Sequence, residues 1–337
     1  MSVSSLWADE DVSSPIDVEP YTPAHHFATG KADPAFRTKL QLAVELAQRA
    51  HAVGLPFRAV VADAFYGKED TVQHGLDQLG VGYVLALPPS HGWWHREGQI
   101  GGLQAAAQAA GWQDAEHPGQ WTKLERRFRD GHRETWWALE GEAGPYGPEK
   151  VQRVVVATTD PKALPERRGP PGCWYVVTNL PAPGSARAKE SRHAAADLAE
   201  LVRLFGLRIW VEQSSKQVKY ALGWGEYQVR SDRAIRRHWA LVWCAFSFCW
   251  LHQRDSAPPS IDPSQPAEAA PETPAAPAGQ RGEKNQRPAA QASAPAQRLV
   301  ASGPSRGPSV ARTLDHALAL LARVVDGAPT AGTPAAA

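Results

Sequence analysis

Between residues 253 and 309 the chain lacks the apolar side chains needed to build a core. Within it, residues 256–298 contain nine Pro and twelve Ala, and Ile261 is the only large aliphatic residue. Such a segment buries too little apolar surface to offset the entropy lost on ordering. The composition therefore predicts a disordered linker over 253–309, with the folded body before it and a short helix and frayed tail at 310–337.

Charge and cysteine content exclude several classes of protein. The 337 residues carry 36 basic and 35 acidic side chains, so the chain does not coat DNA through its net charge, although a local basic patch remains possible. Three cysteines without close pairing exclude a disulfide scaffold and a zinc ribbon. No apolar run is long enough for a transmembrane helix, and the first residues do not form a signal peptide. We therefore expect a cytoplasmic protein with no membrane partner.

The pattern of residues 1–87 alternates between the two regular structures. Helical spacing over 36–53 is followed by a β-branched run at 57–63, a second helical segment at 71–79 and a further strand at 83–87. Alternating helices and strands favour an α/β core with some parallel pairing. We assign 1–87 to the amino-terminal part of that core.

The character of the sequence changes after residue 87. Seven of the thirteen tryptophans lie between residues 88 and 180, among short strand-like runs. We assign 88–193 to a β-rich insertion and 194–252 to the carboxy-terminal helices of the core. The pairs Trp93-Trp94 and Trp136-Trp137 have two interpretations, stacking on nucleic-acid bases or packing in a small core.

The segment from Leu204 to Tyr220 contains the most informative group of charges. If it forms one helix, successive residues turn by about 100°, and five side chains fall within a sector of about 80°. These are Phe205, Arg208, Glu212, Lys216 and Lys219. A carboxylate flanked by cations suits a hard metal ion held beside bound phosphates. The alternative is an ordinary solvated face with ion pairs between residues four apart.

Asp63 is the second candidate. It ends the strand-like run Phe57–Asp63 and precedes a turn that contains Gly67. Ligand sites in open α/β sheets gather at the carboxyl ends of strands, where a carboxylate can reach a divalent metal. The alternative is an Asp that simply opens a turn.

Together these residues resemble the DDE transposases of bacterial insertion sequences. That family's signature is Tyr-x2-Arg-x3-Glu-x6-Lys, and the matching residues are Phe205, Arg208, Glu212 and Lys219, with Phe in place of Tyr. The segment Val60–Gly67 is similar to the one that carries the family's second Asp, and 230–239 and 245–250 resemble the group numbered seven hundred and one within superfamily four. The separation 212 − 63 = 149 leaves room for the family's β-rich insertion.

The resemblance implies a ribonuclease-H-like core and metal-dependent cleavage and transfer of DNA strands at transposon ends. Asp63 and Glu212 would be catalytic ligands of two Mg²⁺ ions, with Mn²⁺ as a substitute. The DNA partner would be double-stranded and would carry the terminal inverted repeats. The residues that contact it would be Phe205, Arg208, Lys216 and Lys219. The resemblance further suggests a homodimer on DNA in the bacterial nucleoid.

One family feature has no counterpart in the sequence. The first Asp of the family belongs to an Asp-Asp-Thr-like motif on an early strand, and we find no such motif here, although Asp9, Asp11, Asp17 and Asp33 are present. We therefore expect an incomplete ribonuclease-H-like core, truncated at its amino terminus, and a fragment that is inactive alone. The alternatives are a non-catalytic DNA-binding or regulatory protein derived from a transposase, and an unstable remnant without a role.

Overall fold

The computed structural model describes residues 1–91, 94–96, 99–128, 131–143, 152–164 and 172–255. The predicted linker at 253–309 lies almost wholly outside the described residues, and the helix predicted after it lies there entirely. The described part is a mixed α/β structure with a mixed sheet, which confirms the predicted fold class of a ribonuclease-H-like core.

Within the described residues, ten strands form two sheets. The first sheet pairs β1 with β2, and the second has the order β3-β4-β10-β9-β8-β5-β6, with β7 also paired to β8. Their bounds are β1 Ser2–Ala8, β2 Ser13–Pro20, β3 Val60–Ala62, β4 Tyr83–Ala86, β5 Trp94–Arg96, β6 Gln99–Gly101, β7 Thr122–Arg127, β8 Arg133–Ala143, β9 Gln152–Thr158 and β10 Cys173–Thr178.

Eight α-helices accompany these strands in the described part of the chain. They are α1 Lys39–Ala52, α2 Ala64–Gly67, α3 Asp70–Leu79, α4 Leu103–Gln108, α5 Ala186–Glu190, α6 Leu198–Gly206, α7 Ile209–Ala221 and α8 Asp232–Asp255. Helix α1 begins with a capping box, in which the Thr38 hydroxyl accepts from Gln41 N and the Gln41 side chain accepts from Thr38 N. Helix α3 ends at Gly80, whose φ of 71° gives the left-handed conformation of a glycine C-cap.

The predicted parallel pairing joins β3 to β4, with Val61 opposite Val84. The helices α2 and α3 connect these strands, as a parallel crossover requires. Strand β10 then pairs antiparallel with β4, so the strands of the segment assigned to an insertion continue the core sheet. The sequence pattern gave no indication of this continuity, and the boundaries assigned to the domains stay predictions.

The sheet has a hydrophobic core on each face. Successive side chains of its central strands point to opposite faces, and both sets are apolar. Val154 and Val156 face the cluster that includes α3 and α4, whereas Val155 faces the cluster covered by α6. Trp136 and Trp137 likewise enter opposite clusters, at 2% and 5% exposure. This burial supports the core interpretation of that pair over base stacking. Trp93 lies outside the described residues.

Helix α8 closes the structure beside the first sheet. Its apolar face, formed by Trp239, Val242, Trp243 and Phe246, packs with Val18 of β2 and Val218 of α7. Ser231 Oγ accepts from Ala234 N at 3.4 Å, as expected for the residue before the helix. No helix within the described ranges is long and apolar enough to cross a membrane.

Candidate DNA-binding and catalytic site

Asp63 lies directly after β3 and begins α2. Its Oδ1 atom accepts from Phe65 N at 2.9 Å, so the carboxylate acts as the helix cap, and the residue is exposed. This geometry agrees with the turn-opening interpretation and also leaves Oδ2 without a hydrogen bond among the described residues. The cap therefore orients the carboxylate at the carboxyl end of the strand without using both oxygens.

The neighbours of Asp63 hold this turn against the sheet. Gly67 packs so tightly that an added Cβ would lie 2.0 Å from the carbonyl oxygen of Ala86 in β4. Tyr66 is partly buried, and burial, followed by the negative charge of Asp63, raises the pKa of its phenol. The turn thus has a fixed position at the carboxyl ends of the parallel pair β3 and β4.

The segment predicted as one helix over 204–220 is two helices. Helix α6 ends at Gly206, and Leu207 and Arg208 form a turn before α7 begins at Ile209. The amides of Leu207 and Arg208 donate to carbonyls three residues earlier, which tightens the chain at this point. The single-helix projection was therefore wrong for Phe205, although it holds for the residues within α7.

Phe205 is buried at 4% exposure and packs edge-on against Trp174, at 5.1 Å between ring centroids. The Arg208 guanidinium carbon lies 5.6 Å from the Phe205 ring centroid. A ring so buried gives no support to a direct DNA contact by Phe205. Its observed role is to support Arg208 at the start of α7.

Helix α7 exposes Glu212, Lys216 and Lys219 on one face, and buries Ser214 and Val218 on the other. Arg208 forms a salt bridge with Glu212, four residues later. This is the ion pair that the solvated-face interpretation anticipated. Neither lysine has an ion pair within the described ranges, and both remain available to an external anion.

Further exposed basic side chains lie in α8 and in the segment just before it. Arg230, Arg233 and Arg237 are exposed and have no ion pair in the described part of the chain. We call these three arginines, with Lys216 and Lys219, the cationic face. Two other arginines of this part of the chain, Arg203 and Arg236, are paired to Glu10 and Glu19.

Arg236 belongs to a half-buried ionic network that fixes α8 on β2. Its guanidinium binds Glu19 and Asp232, and Arg49 of α1 also contacts Glu19, with Nη2 3.0 Å from Oε2. Burial alone would raise the pKa of Glu19, but the hydrogen bonds and charges of Arg236 and Arg49 outweigh it and lower the pKa. Burial raises the pKa of Asp17, which lies beside Arg49.

The described residues contain no group of three or more His, Cys, Asp and Glu side chains placed to hold a metal ion. Asp63 and Glu212 have the oxygen donors that Mg²⁺ requires, but one oxygen of each is already engaged, by Phe65 N and by Arg208. These two carboxylates therefore do not amount to a complete two-metal centre by themselves. Their assignment as ligands stays a prediction.

Two side chains near the α6–α7 turn were missed by the sequence analysis. Trp174 of β10 supports Phe205, and Arg126 of β7 packs against Gly206. They come from strands separated in sequence from α6, and their positions follow from the order of the sheet. No periodicity or spacing in the sequence could have indicated them.

The amino-terminal part of the chain is similar to a known family. A family model described as DDE superfamily endonuclease matches residues 1–144, which include β3 and Asp63. This part of the chain is therefore similar to the DDE superfamily endonucleases. Endonucleases of this superfamily generally use divalent metal ions.

A particular relative extends the similarity beyond residue 144. The chain is 27% identical over 218 residues to a probable transposase for insertion sequence element IS701 from Microchaete diplosiphon. The match covers 64% of this chain and 47% of that protein. The chain thus spans about half the length of the curated relative that it matches.

Proposed function

We propose that this chain binds the ends of a transposable DNA element and takes part in metal-dependent DNA strand cleavage and transfer. The cationic face carries the proposal, because it provides five exposed basic side chains without an ion pair in the described residues, two on α7 and three on α8 and the segment just before it. The family supplies the reaction class. We further propose that the bound DNA carries the terminal inverted repeats and that two copies of the chain bind it together. The protein would act in the bacterial nucleoid.

Phosphate binding by the cationic face follows from its charge and exposure. DNA-binding proteins gain affinity when basic side chains release counterions from phosphates. The ion pairs of Arg236 and Arg203 hold the fold and keep those two cations from DNA. Arg208 can transfer from Glu212 to a phosphate, which would free the Glu212 carboxylate for a metal ion.

The metal ions would be held by Asp63, Glu212 and at least one further ligand. Asp63 has a fixed position at the end of β3, and Glu212 begins the exposed face of α7. A second candidate function is non-catalytic DNA binding. It is favoured by the observation that the described residues assemble no group of three metal-binding side chains.

The first prediction concerns Lys216 and Lys219, which are to be replaced together by Ala. Each lysine that contacts a phosphate adds about 0.9 to the magnitude of the slope of log affinity against log salt. The double variant should bind terminal-repeat DNA more weakly and lower that magnitude by about 2. Fluorescence anisotropy over a series of salt concentrations measures both quantities.

A charge-matched control is the double replacement of Lys31 and Lys162 by Ala. Both lysines are exposed and lie outside α7 and α8. The control should keep the affinity and the slope of the wild type. Equal losses in the two double variants would mean that binding depends on net charge alone, and would refute the assignment to the cationic face.

A further inference from the structure

Arg126 lies on an aromatic surface between β7 and the end of α6. Its guanidinium carbon is 4.2 Å from the ring centroid of Phe128, 5.0 Å from that of Trp174 and 5.5 Å from that of Trp136. Guanidinium groups stack on aromatic faces and are weakly hydrated, so this environment holds the group in a defined place. The side chain is half-buried, in contrast to its exposed neighbour Arg127.

This buried charge has no anion within salt-bridge distance in the described part of the chain. Glu134 lies opposite Arg126 in the strand register, but its carboxylate accepts from Trp136 Nε1 at 3.0 Å and lies 3.5 Å from His132 Nε2. Burial lowers the pKa of Arg126, and the Glu134 charge opposes that change only in part. A cation desolvated without a paired anion is costly, and an incoming anion would relieve that cost.

Gly206 makes room for this arrangement. A Cβ atom added to Gly206 would lie 2.2 Å from Arg126 Nη2, so a larger residue here would force the guanidinium to move from this position. Gly206 is the last residue of α6 and stands two residues before Arg208. The rings of Trp174 and Phe205 join the two arginines, because Arg126 lies over the first and Arg208 over the second.

We infer that Arg126 is a phosphate-binding residue, contributed by the β-rich segment, which holds a DNA backbone phosphate next to the one bound by Arg208. The inference rests on the proposed function and adds a binding residue from outside α7 and α8. An Arg that only fills space or faces the carbonyl end of α6 is the competing explanation. The two explanations predict different effects on DNA affinity when the charge of residue 126 or the salt concentration is changed.

The test compares Arg126→Met, Arg126→Lys and the matched control Arg127→Met. Met keeps much of the apolar stem and removes the charge, so thermal unfolding should remain close to that of the wild type. Affinity for terminal-repeat DNA should fall by about tenfold in Arg126→Met, with a slope against log salt smaller by about 1. Lys should restore part of the affinity as a point charge, and Arg127→Met should change little.

Gly206→Ala provides a second test that leaves every charge in place. Ala is a better helix former than Gly, so α6 itself is not weakened, but the new methyl group displaces the guanidinium. This variant should lose affinity in the same direction as Arg126→Met. Combining the two substitutions should lose little more than either one alone, since both remove the same contact.

Three outcomes would overturn the inference. Wild-type binding that is unchanged in Arg126→Met would refute the role of Arg126 and leave the proposed function standing. A loss in Arg126→Met without a change of slope, and without recovery in Arg126→Lys, would show a purely structural residue. Absence of salt-dependent binding by the wild type would refute the proposed function and this inference together.

Discussion

Glu19 shows how a single residue fixes the position of α8, which carries part of the cationic face. It is 6% exposed and accepts from Arg236 of α8 and Arg49 of α1, so one carboxylate joins β2 to two helices. Removing one partner of a buried ion pair leaves the other charge uncompensated. The network therefore stabilises the docking of α8, and it does not engage Lys216 or Lys219.

The second prediction is the pH dependence of Glu19→Gln. The pKa of Glu19 is lowered from 4.5 in the folded protein, so its charged form stabilises the fold fully above that value. This contribution is lost as pH falls through the lower, folded-state pKa. At neutral pH the variant should be less stable by about 2–3 kcal/mol, because Arg236 keeps Asp232 as a partner.

Urea denaturation of both proteins at several pH values measures this difference. The gap in unfolding free energy should narrow below about pH 4.5. The pKa of Asp17 is raised chiefly by burial, which both proteins share, and the smaller part of that rise due to the Glu19 charge is lost in the variant. The exposed pair partner Glu10, replaced by Gln, is the control and should cost less than about 1 kcal/mol. A gap that stays constant down to pH 3 would contradict the electrostatic account.

At the scale of elements, the sequence indicated the helices and strands better than the breaks between them. The spacing of apolar residues predicted α1, α3 and β4, because these elements have strong local patterns. The break between α6 and α7 was missed because Gly206 alone is compatible with a helix, and the contact that requires it comes from Arg126. The ionic network could not be predicted because its partners are distant in sequence. Glu19 and Arg236 are 217 residues apart.

The third prediction concerns the orientation of α8 and uses two phenylalanines on the same helix. Phe246 is 5% exposed and packs in the cluster with Trp243, whereas Phe248 is 71% exposed. Phe246→Ala should reduce the unfolding free energy by about 3–5 kcal/mol. Phe248→Ala should change it by no more than about 0.5 kcal/mol. Similar losses at both positions, measured by urea denaturation, would mean that α8 packs in another orientation.

At the scale of the whole molecule, the parallel strands and the β-rich segment form one sheet. This continuity places β7 against α6, which brings Arg126 and Trp174 to the turn before Arg208. The shared exposed face of Glu212, Lys216 and Lys219 was predictable because α7 carries all three. The residues that support the turn before Arg208 were not predictable, because they depend on which strands are neighbours. The position of Asp63 at the end of a parallel strand was correctly expected from the alternating pattern.

The most direct test of the account follows one labelled DNA substrate through binding and cleavage. Terminal-repeat DNA is incubated with residues 1–337 in Mg²⁺ or Mn²⁺, and bound and nicked DNA are both quantified, with Glu212→Ala and Lys216→Ala/Lys219→Ala as variants. We expect salt-dependent DNA binding that requires Lys216 and Lys219. We expect no nicking by this chain alone, because the described residues assemble no group of metal ligands able to stabilise both the attacking and the leaving oxygen. Robust nicking that disappears in Glu212→Ala would contradict the account. DNA binding that is unchanged in Lys216→Ala/Lys219→Ala would also contradict it.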